Sequence, residues 1–286
     1  MTPPERKVVK EEEEYKMKIN ILEKTEQKLT FELTESNETF ANTLRRIMIS
    51  EVPTMAIDEI NFFANDSALY DEILAHRIGL VPLTTDLKIY NLPENCKCKG
   101  EGCNLCRTII SLKSEGPKMV YAEELTATDE EIKAYHPKMP LVLLLEGQKI
   151  KFEATAILGL GKNHAKYMPG AIFYKHKAKL KINNSHVDFD KFKDKYPKQA
   201  FKDGKLDEEK LLRNDLYQAC ANINKDILAI KYDRDNFIFK VESFGQLAPE
   251  EILRTSIEKL NEKTGDFAKA IKQDGKKLKL PSLKRS

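Results

Sequence analysis

Four of the five cysteines fall within a single short stretch, spaced Cys96-x-Cys98-x4-Cys103-x2-Cys106. Four thiolates this close can close a tetrahedral zinc site without ligands from elsewhere in the chain. Lys97, Lys99, Gly100, Gly102 and Asn104 lie between them, residue types suited to tight turns around an ion. Four protein ligands leave no position for a metal-bound water, so the spacing predicts a structural site rather than a catalytic one. Disulfides would need an oxidising compartment. The C-x2-C-x2-C run of ferredoxins is absent, which argues against an iron–sulfur cluster in this loop.

The chain has 286 residues, enough for two or three compact units with their own cores. Hydrophobic residues make up 41%, and no apolar run is long enough to span a bilayer. Met1 to Glu14 carries no apolar core of the secretory type, so the expected compartment is the cytoplasm. Charged residues reach 33%, yet the net charge is only +3, which gives no case for nucleic-acid wrapping over the whole surface. The charge gathers at the ends: Glu11 to Glu14 make residues 1–14 an acidic tail, and Lys276, Lys277, Lys279, Lys284 and Arg285 make 273–286 a basic one.

Period-two alternation at Tyr15, Met17, Ile19 and Ile21, then at Leu29, Phe31 and Leu33, predicts a hairpin turning at Lys24 to Gln27 with one buried face. Ser36 or Asn37 can cap a following helix whose Phe40, Leu44, Ile47 and Met48 recur at helical spacing, and Pro53 ends it. Ile49 falls on the opposite side of that helix, beside Arg45 and Arg46, which hints at a second covered face. Strand signals follow at Ala56 to Phe63, then a helix from Leu69 to Ile78 with Gly79 placed to cap it. Beyond the cysteines, strands are expected at Thr108 to Lys113 and Lys118 to Ala122. Two more, Leu141 to Leu145 and Lys149 to Ala156, are expected as a hairpin about Glu146-Gly147-Gln148. From Ala171 to about Lys210 the chain is polar and Lys/Asp-rich, and strand signals return at Ile227 to Ile230 and Phe237 to Val241. A last helix opens at Pro249 with Glu250 and Glu251 in its first turn, and carries Leu253, Ile257, Leu260, Phe267 and Ile271 as one stripe that Gly265 could kink.

No catalytic constellation is present. Gly159-Leu160-Gly161-Lys162 lacks the earlier glycine and the following Ser or Thr of a phosphate loop. His76, His136, His164, His176 and His186 show no helical H-x3-H pair, there is no G-x-S-x-G, and Cys220 is the one thiol outside the loop.

Three segments carry a resemblance. Asn37-Glu38-Thr39-Phe40-Ala41-Asn42-Thr43-Leu44-Arg45-Arg46-Ile47-Met48-Ile49-Ser50-Glu51-Val52-Pro53 closely resembles the signature of the alpha-like subunits of DNA-directed RNA polymerase. Asp71-Glu72-Ile73-Leu74-Ala75-His76-Arg77-Ile78-Gly79-Leu80-Val81-Pro82-Leu83 resembles the second signature, in the expected order. Gly159 to Tyr167 is similar to a third, found in archaeal and eukaryotic members. The likeness runs from about Tyr15 to Ile271 and is strongest to the archaeal D-type subunits, counterparts of the third subunit of eukaryotic polymerase II and of bacterial alpha. It implies an α+β chain with a discontinuous dimerisation domain (15–51, 168–181 and 226–272) and an inserted β-rich domain (52–167) carrying a zinc loop at 96–106. Members of the family pair through two helices with the smaller subunit L, and subunit N and the large catalytic subunits dock on the pair. The resemblance thus nominates Cys96, Cys98, Cys103 and Cys106 as zinc ligands. It nominates Phe40, Leu44, Ile47, Met48, Leu253, Ile257 and Leu260 for subunit L, and Arg45 and Arg46 for the large subunits. DNA would be met only indirectly, through the assembled enzyme, and the chain itself would catalyse nothing. A free-standing zinc-dependent nucleic-acid-binding protein is the alternative reading.

Some archaeal relatives carry a ferredoxin-like insertion with an iron–sulfur cluster, and residues 182–225 resemble a degenerate copy. Tyr196-Pro197 stands where Cys-Pro would end a cluster motif, and Cys220 resembles the survivor of a second cysteine run. A cubane cluster needs about four ligands. The expectation is a small α/β module that keeps the fold without the cofactor.

Overall fold

The computed structural model describes residues 17–277. The acidic tail at 1–14, Tyr15 and the basic residues beyond Lys277 lie outside them. The chain divides into two compact units. One holds Phe31–Glu38 and Lys175–Ile238; the other holds Ile21–Thr30, Thr39–Tyr174 and the chain from Phe239.

The expected hairpin forms as β1 (Lys18–Lys24) and β2 (Lys28–Thr34). Its turn is held by the Thr25 N–H donating to the Lys28 carbonyl at 2.8 Å. The single helix expected next is α1 (Glu38–Ser50). Asn37 holds the position before it. The buried Ser36 hydroxyl finds no partner among the described residues, so Ser36 is not the cap.

The β-rich region is built from long antiparallel strands. It opens with β3 (Pro53–Asn65) and α2 (Asp71–Gly79), and continues with β4 (Arg107–Glu115), β5 (Lys118–Tyr121), β6 (Thr126–Ala127), β7 (Pro140–Leu144) and β8 (Lys149–Leu160). Gly79 is the last helical residue of α2, not its cap; Leu80, at φ −91°, takes that place. Two sheets result, one in the order β3-β8-β4-β6 and one pairing β5 with β7. Alternate residues of β4 and β8 turn inward, where Ile110, Leu112, Ile150, Phe152, Ala154 and Ala156 pack with Leu74 and Ile78 of α2 into one core.

This topology corrects the hairpin expected at Glu146-Gly147-Gln148. The turn exists, with Gly147 at φ 76° and the Gln148 N–H donating to the Leu145 carbonyl at 3.1 Å. The strands on either side of it do not pair, because β7 joins β5 while β8 runs between β3 and β4. A central place for β8 satisfies both of its edges, and β3 and β4 match its length where the five-residue β7 does not.

The polar run after Ala171 hides a strand, β9 (Gly170–Ile182). Its lysines alternate with half-buried residues and mask the period. Then come α3 (Phe189–Phe192), the two-stranded β10 (Phe201–Lys202) and β11 (Lys205–Leu206), α4 (Glu208–Arg213) and α5 (Tyr217–Cys220). These short elements surround a core of their own that includes Phe189, Tyr196, Leu206, Leu211, Tyr217 and Cys220. The two strand signals expected after Ile227 are one strand, β12 (Leu228–Ser243). A four-stranded sheet has the order β1-β2-β12-β9. Leu29, Phe31 and Leu33 of β2 are fully buried, but edge strand β1 is exposed along its whole length, against the expectation of a buried face.

The described residues end in α6 (Pro249–Lys277), which runs unbroken through Gly265 and five residues past the expected end of the dimerisation domain at 272.

Candidate functional site

The cysteine loop follows a 3-10 turn at Pro93–Asn95 and leads into β4. Two tight turns shape it. The Lys99 N–H donates to the Cys96 carbonyl at 2.9 Å, and the Cys106 N–H to the Cys103 carbonyl at 3.0 Å. Between them the backbone enters the left-handed region at Lys99 (φ 54°), Gly100 (φ 87°) and Gly102 (φ 89°). Gly102 is needed twice over, since a methyl group there would also lie 2.7 Å from the Arg107 guanidinium.

These turns bring the four sulfurs together. Cys96 and Cys103 Sγ are 3.5 Å apart, Cys98 and Cys106 are 3.5 Å apart, and all four lie within 4.8 Å of one another. Four thiolates about 2.3 Å from a tetrahedral ion sit about 3.8 Å from each other, so the cluster fits such an ion with little adjustment. The Cys98 thiol is pulled down to about 6, first by the Cys103 backbone N–H and then by Cys96 and the Gly102 N–H. Burial pushes Cys106 up to about 12, with the Cys98 thiol adding to it. The four cysteines could therefore hold a metal ion, and a cation bound there would displace their thiol protons. The loop is anchored at its base by the Asn91 N–H donating to the Leu105 carbonyl at 2.8 Å, beside Tyr90, whose hydroxyl donates to Asp129 Oδ2 at 2.6 Å.

The helix residues nominated for partners divide by burial. Leu44, Ile47 and Met48 are 1%, 7% and 0% exposed within the chain itself, so their surfaces belong to its own core. Phe40 and Arg45 are half-buried, Arg45 being held by Asn42 Oδ1 at 3.0 Å, and Arg46 is exposed. On α6 the face turned inward is Ile252, Thr255 and Ser256, which periodicity alone did not single out because two of the three are polar. The stripe that it did single out points outward. Ile257, Phe267 and Ile271 are 36%, 68% and 56% exposed, and Leu253 and Leu260 are half-buried.

The third motif proves architectural. A side chain at Gly159 would run into the Tyr167 ring, and one at Gly161 into the Ile49 carbonyl. Lys162 pairs with Glu51 at 3.4 Å, and Lys263 of α6 reaches the same carboxylate at 2.6 Å. Burial alone would raise the Glu51 carboxyl, but the two lysines outweigh it and hold it below its usual value. Lys166 Nζ and the Tyr167 hydroxyl both donate to Asp58 Oδ1, at 2.7 and 3.0 Å. Against the upward push of burial, they hold the Asp58 carboxyl low. Asp58 is the unpaired residue of a β-bulge, since Ile57 lies opposite Ala156 and Glu59 opposite Thr155. Sequence spacing gave no sign of this clamp, because its members lie over a hundred positions apart.

Among the described residues no helix is long and apolar enough to cross a membrane. Residues 30–264 match the RNA polymerase Rpb3/Rpb11 dimerisation domain. The chain is 32% identical to the DNA-directed RNA polymerase subunit Rpo3 of Methanosphaera stadtmanae, over 90% of this chain and 100% of that protein. It is 34% identical to the subunit of the same name from Thermococcus kodakarensis, over 88% of this chain and 96% of that one. The Pyrococcus furiosus subunit is also 34% identical, over 90% and 98% of the two chains. With a match that spans α1, the cysteine loop and most of α6, the chain belongs to the RNA polymerase Rpb3/Rpb11 dimerisation-domain family.

Proposed function

We propose that this chain is a non-catalytic assembly subunit of a DNA-directed RNA polymerase, acting in the cytoplasm. It pairs with the small alpha-like subunit L, and the pair receives subunit N and the large catalytic subunits. The observation that carries the reading is the outward apolar stripe of α6, with Ile257, Phe267 and Ile271 uncovered in a chain whose family is defined by dimerisation. A helix that buries Ile252 and Ser256 on one side and shows large apolar residues on another is suited to a second polypeptide. Phe40, Leu253, Ile257 and Leu260 supply the contact to subunit L, while Leu44, Ile47 and Met48 support α1 from beneath. Arg45 and Arg46 face the large subunits. The family domains are the discontinuous 15–51, 168–181 and 226–272, with 52–167 and 182–225 inserted. Zinc is the ion we assign to the four cysteines, because a closed all-thiolate tetrahedron suits it. Family membership favours this reading over a free-standing nucleic-acid-binding protein.

Co-expression with subunit L tests it. Ile257→Asp combined with Phe267→Asp should abolish pairing while leaving the fold intact, since both side chains are exposed in the lone chain and burying unpaired carboxylates costs several kcal/mol, about 2–7 for even a neutral polar group. A folded double variant that pairs normally would remove α6 from the interface. Leu44 and Ile47 are unsuitable for this test because their replacement would disturb the chain's own core.

A further inference from the structure

The ring of His176, on β9, is held at both of its nitrogens. Nδ1 lies 3.0 Å from the Asp233 carbonyl oxygen of β12, and Nε2 lies 2.9 Å from Glu38 Oε1, on the first residue of α1. Both partners are acceptors: a carbonyl has no proton to give, and neither has an ionised carboxylate. A neutral imidazole carries a single N–H, so it can satisfy one of them and must turn a lone pair toward the other. The two contacts hold together only when both ring nitrogens carry protons. The Phe237 ring lies against the imidazole, with centroids 4.9 Å apart, and an aromatic face receives a cation better than a neutral ring.

The other charged groups around this ring are matched or turned to solvent. On β12 the Asp233 carboxylate binds Lys179 Nζ at 2.7 Å and accepts from the Asp235 N–H and the Asn236 amide, while Arg234 and Asp235 are exposed. On β9 itself, Lys177 pairs with Glu32 of β2 at 2.7 Å, and Lys175 pairs with Asp215. Among the described residues no other ion pair engages Glu38.

The residues that lead from β2 into α1 are tied to the same place. The Glu35 N–H donates to Asn236 Oδ1 at 3.1 Å, and the Ser36 N–H donates to the Asp235 carbonyl at 2.9 Å. The Glu38 contact is a third tie. Unlike the two amide bonds, it depends on a proton that histidine exchanges with water near neutral pH.

We propose that His176 and Glu38 form a proton-operated fastener at the start of α1, closed when the imidazole carries both protons and released when it gives one to solvent. The sign follows from the donors. The tie is present on the acid side and is lost as pH rises through the range in which histidine changes charge, about 5–8. It acts within this chain and does not rest on the assignment of Phe40, in the same helical turn, to subunit L.

Isotopic nitrogen labelling of the histidines in the full chain reads the protons directly, with His176→Gln identifying the His176 signals. At about pH 6 both His176 nitrogens should carry protons, and at about pH 8.5 only Nδ1 should. Amide exchange then reads the helix. Corrected for the intrinsic rate, protection of Asn42 and Thr43, whose N–H groups close the first turn, should fall about two- to fivefold over that interval. The change is small because the Glu38 side chain is 71% exposed. Glu38→Gln should abolish the pH dependence, since a carboxamide can donate to Nε2 or accept from it. Circular dichroism and melting establish that each variant is folded, and the wild-type signals decide the matter for a variant that is not. A wild-type His176 with one proton at about pH 6 would overturn the fastener. So would protection that changes equally in the wild type and in Glu38→Gln. Neither result touches pairing with subunit L, so the polymerase reading would stand.

Discussion

The cysteine loop between Pro93 and Arg107 and the inserted segment between Asn183 and Asp226 are both poor in long strands and helices, but different forces order them. In the loop only Cys96 and Cys106 are buried, and Leu105 is 48% exposed. Its apolar content cannot repay the entropy of fixing the backbone, about 1–2 kcal/mol per residue. The four sulfurs could supply the difference by holding an ion. The insertion has helices of only four to six residues and strands of two, yet it buries Phe189, Tyr196, Leu206, Leu211, Tyr217 and Cys220 together. Tyr196, which stands where the resemblance places a cluster cysteine, is 3% exposed and part of this core. The loop gathers four sulfurs with almost no apolar core, and the insertion has an apolar core of its own.

Removing the metal should separate the two most widely. Chelation, or Cys103→Ser, should release one zinc ion by elemental analysis and open the loop to proteolysis between Cys96 and Cys106. Metal binding in such sites contributes on the order of 10 kcal/mol. Amide protection in the insertion should not change, and anaerobically purified protein should be colourless and free of iron. If protection collapses equally in both regions, the two are not independently ordered and the contrast fails.

Tyr217→Ala probes the other side. Tyr217 is 1% exposed, and deleting a buried aromatic ring costs about 3–5 kcal/mol. Hydrogen exchange in α4 and α5 should accelerate while metal content stays at one ion per chain. Loss of the metal from this variant would contradict separate ordering.

A smaller effect sharpens the reading of the loop. Gly102→Ala places a side chain at φ 89° and against Arg107, a strain of about 1–3 kcal/mol. It should appear as roughly tenfold or greater weakening of metal affinity in a competition titration, with global melting little changed. Unaltered affinity would mean that the turn adjusts freely.

The smallest effect concerns the β-rich core that carries the loop. Asp58 and Glu51 have carboxyls held below their ordinary values in the folded chain. Their contribution is present above the unfolded values and is lost as pH falls through the folded ones, so it disappears on the acid side. The Asp58 side chain is 39% exposed and Lys162 and Lys263 are half in solvent, so screening limits each to about 1 kcal/mol or less. Asp58→Asn should lower the melting temperature slightly at neutral pH and leave the acid end nearly unchanged, so that the acid limb of the profile flattens. An equal loss at every pH would assign Asp58 a role in packing instead.

Much of the site was legible without the fold. The cysteine spacing announced a four-thiolate cluster because all its ligands lie in one short loop, where spacing is nearly geometry. Helical periodicity placed α1 and the apolar stripe of α6 for the same local reason. Periodicity cannot say which side of a helix its own chain will cover, however. On α1 the apolar residues Leu44 and Met48 turned inward, whereas on α6 the inner face is Ile252, Thr255 and Ser256 and the apolar stripe is left outside.

The sequence by itself determined most of the elements, the four-cysteine cluster and the family, since each is written in neighbouring residues or in contiguous motifs. Tertiary structure alone decided the rest. It separated β7 from β8 because β8 had two longer partners to satisfy. It made a strand of the lysine-rich β9 by placing it at an edge of a sheet, where alternate lysines can reach water. It turned Glu59 outward through a bulge locked by Lys166 and Tyr167, residues more than a hundred positions away. Pairing of strands and orientation of faces are settled by what lies across the gap, and no local pattern records the residue that will be found there.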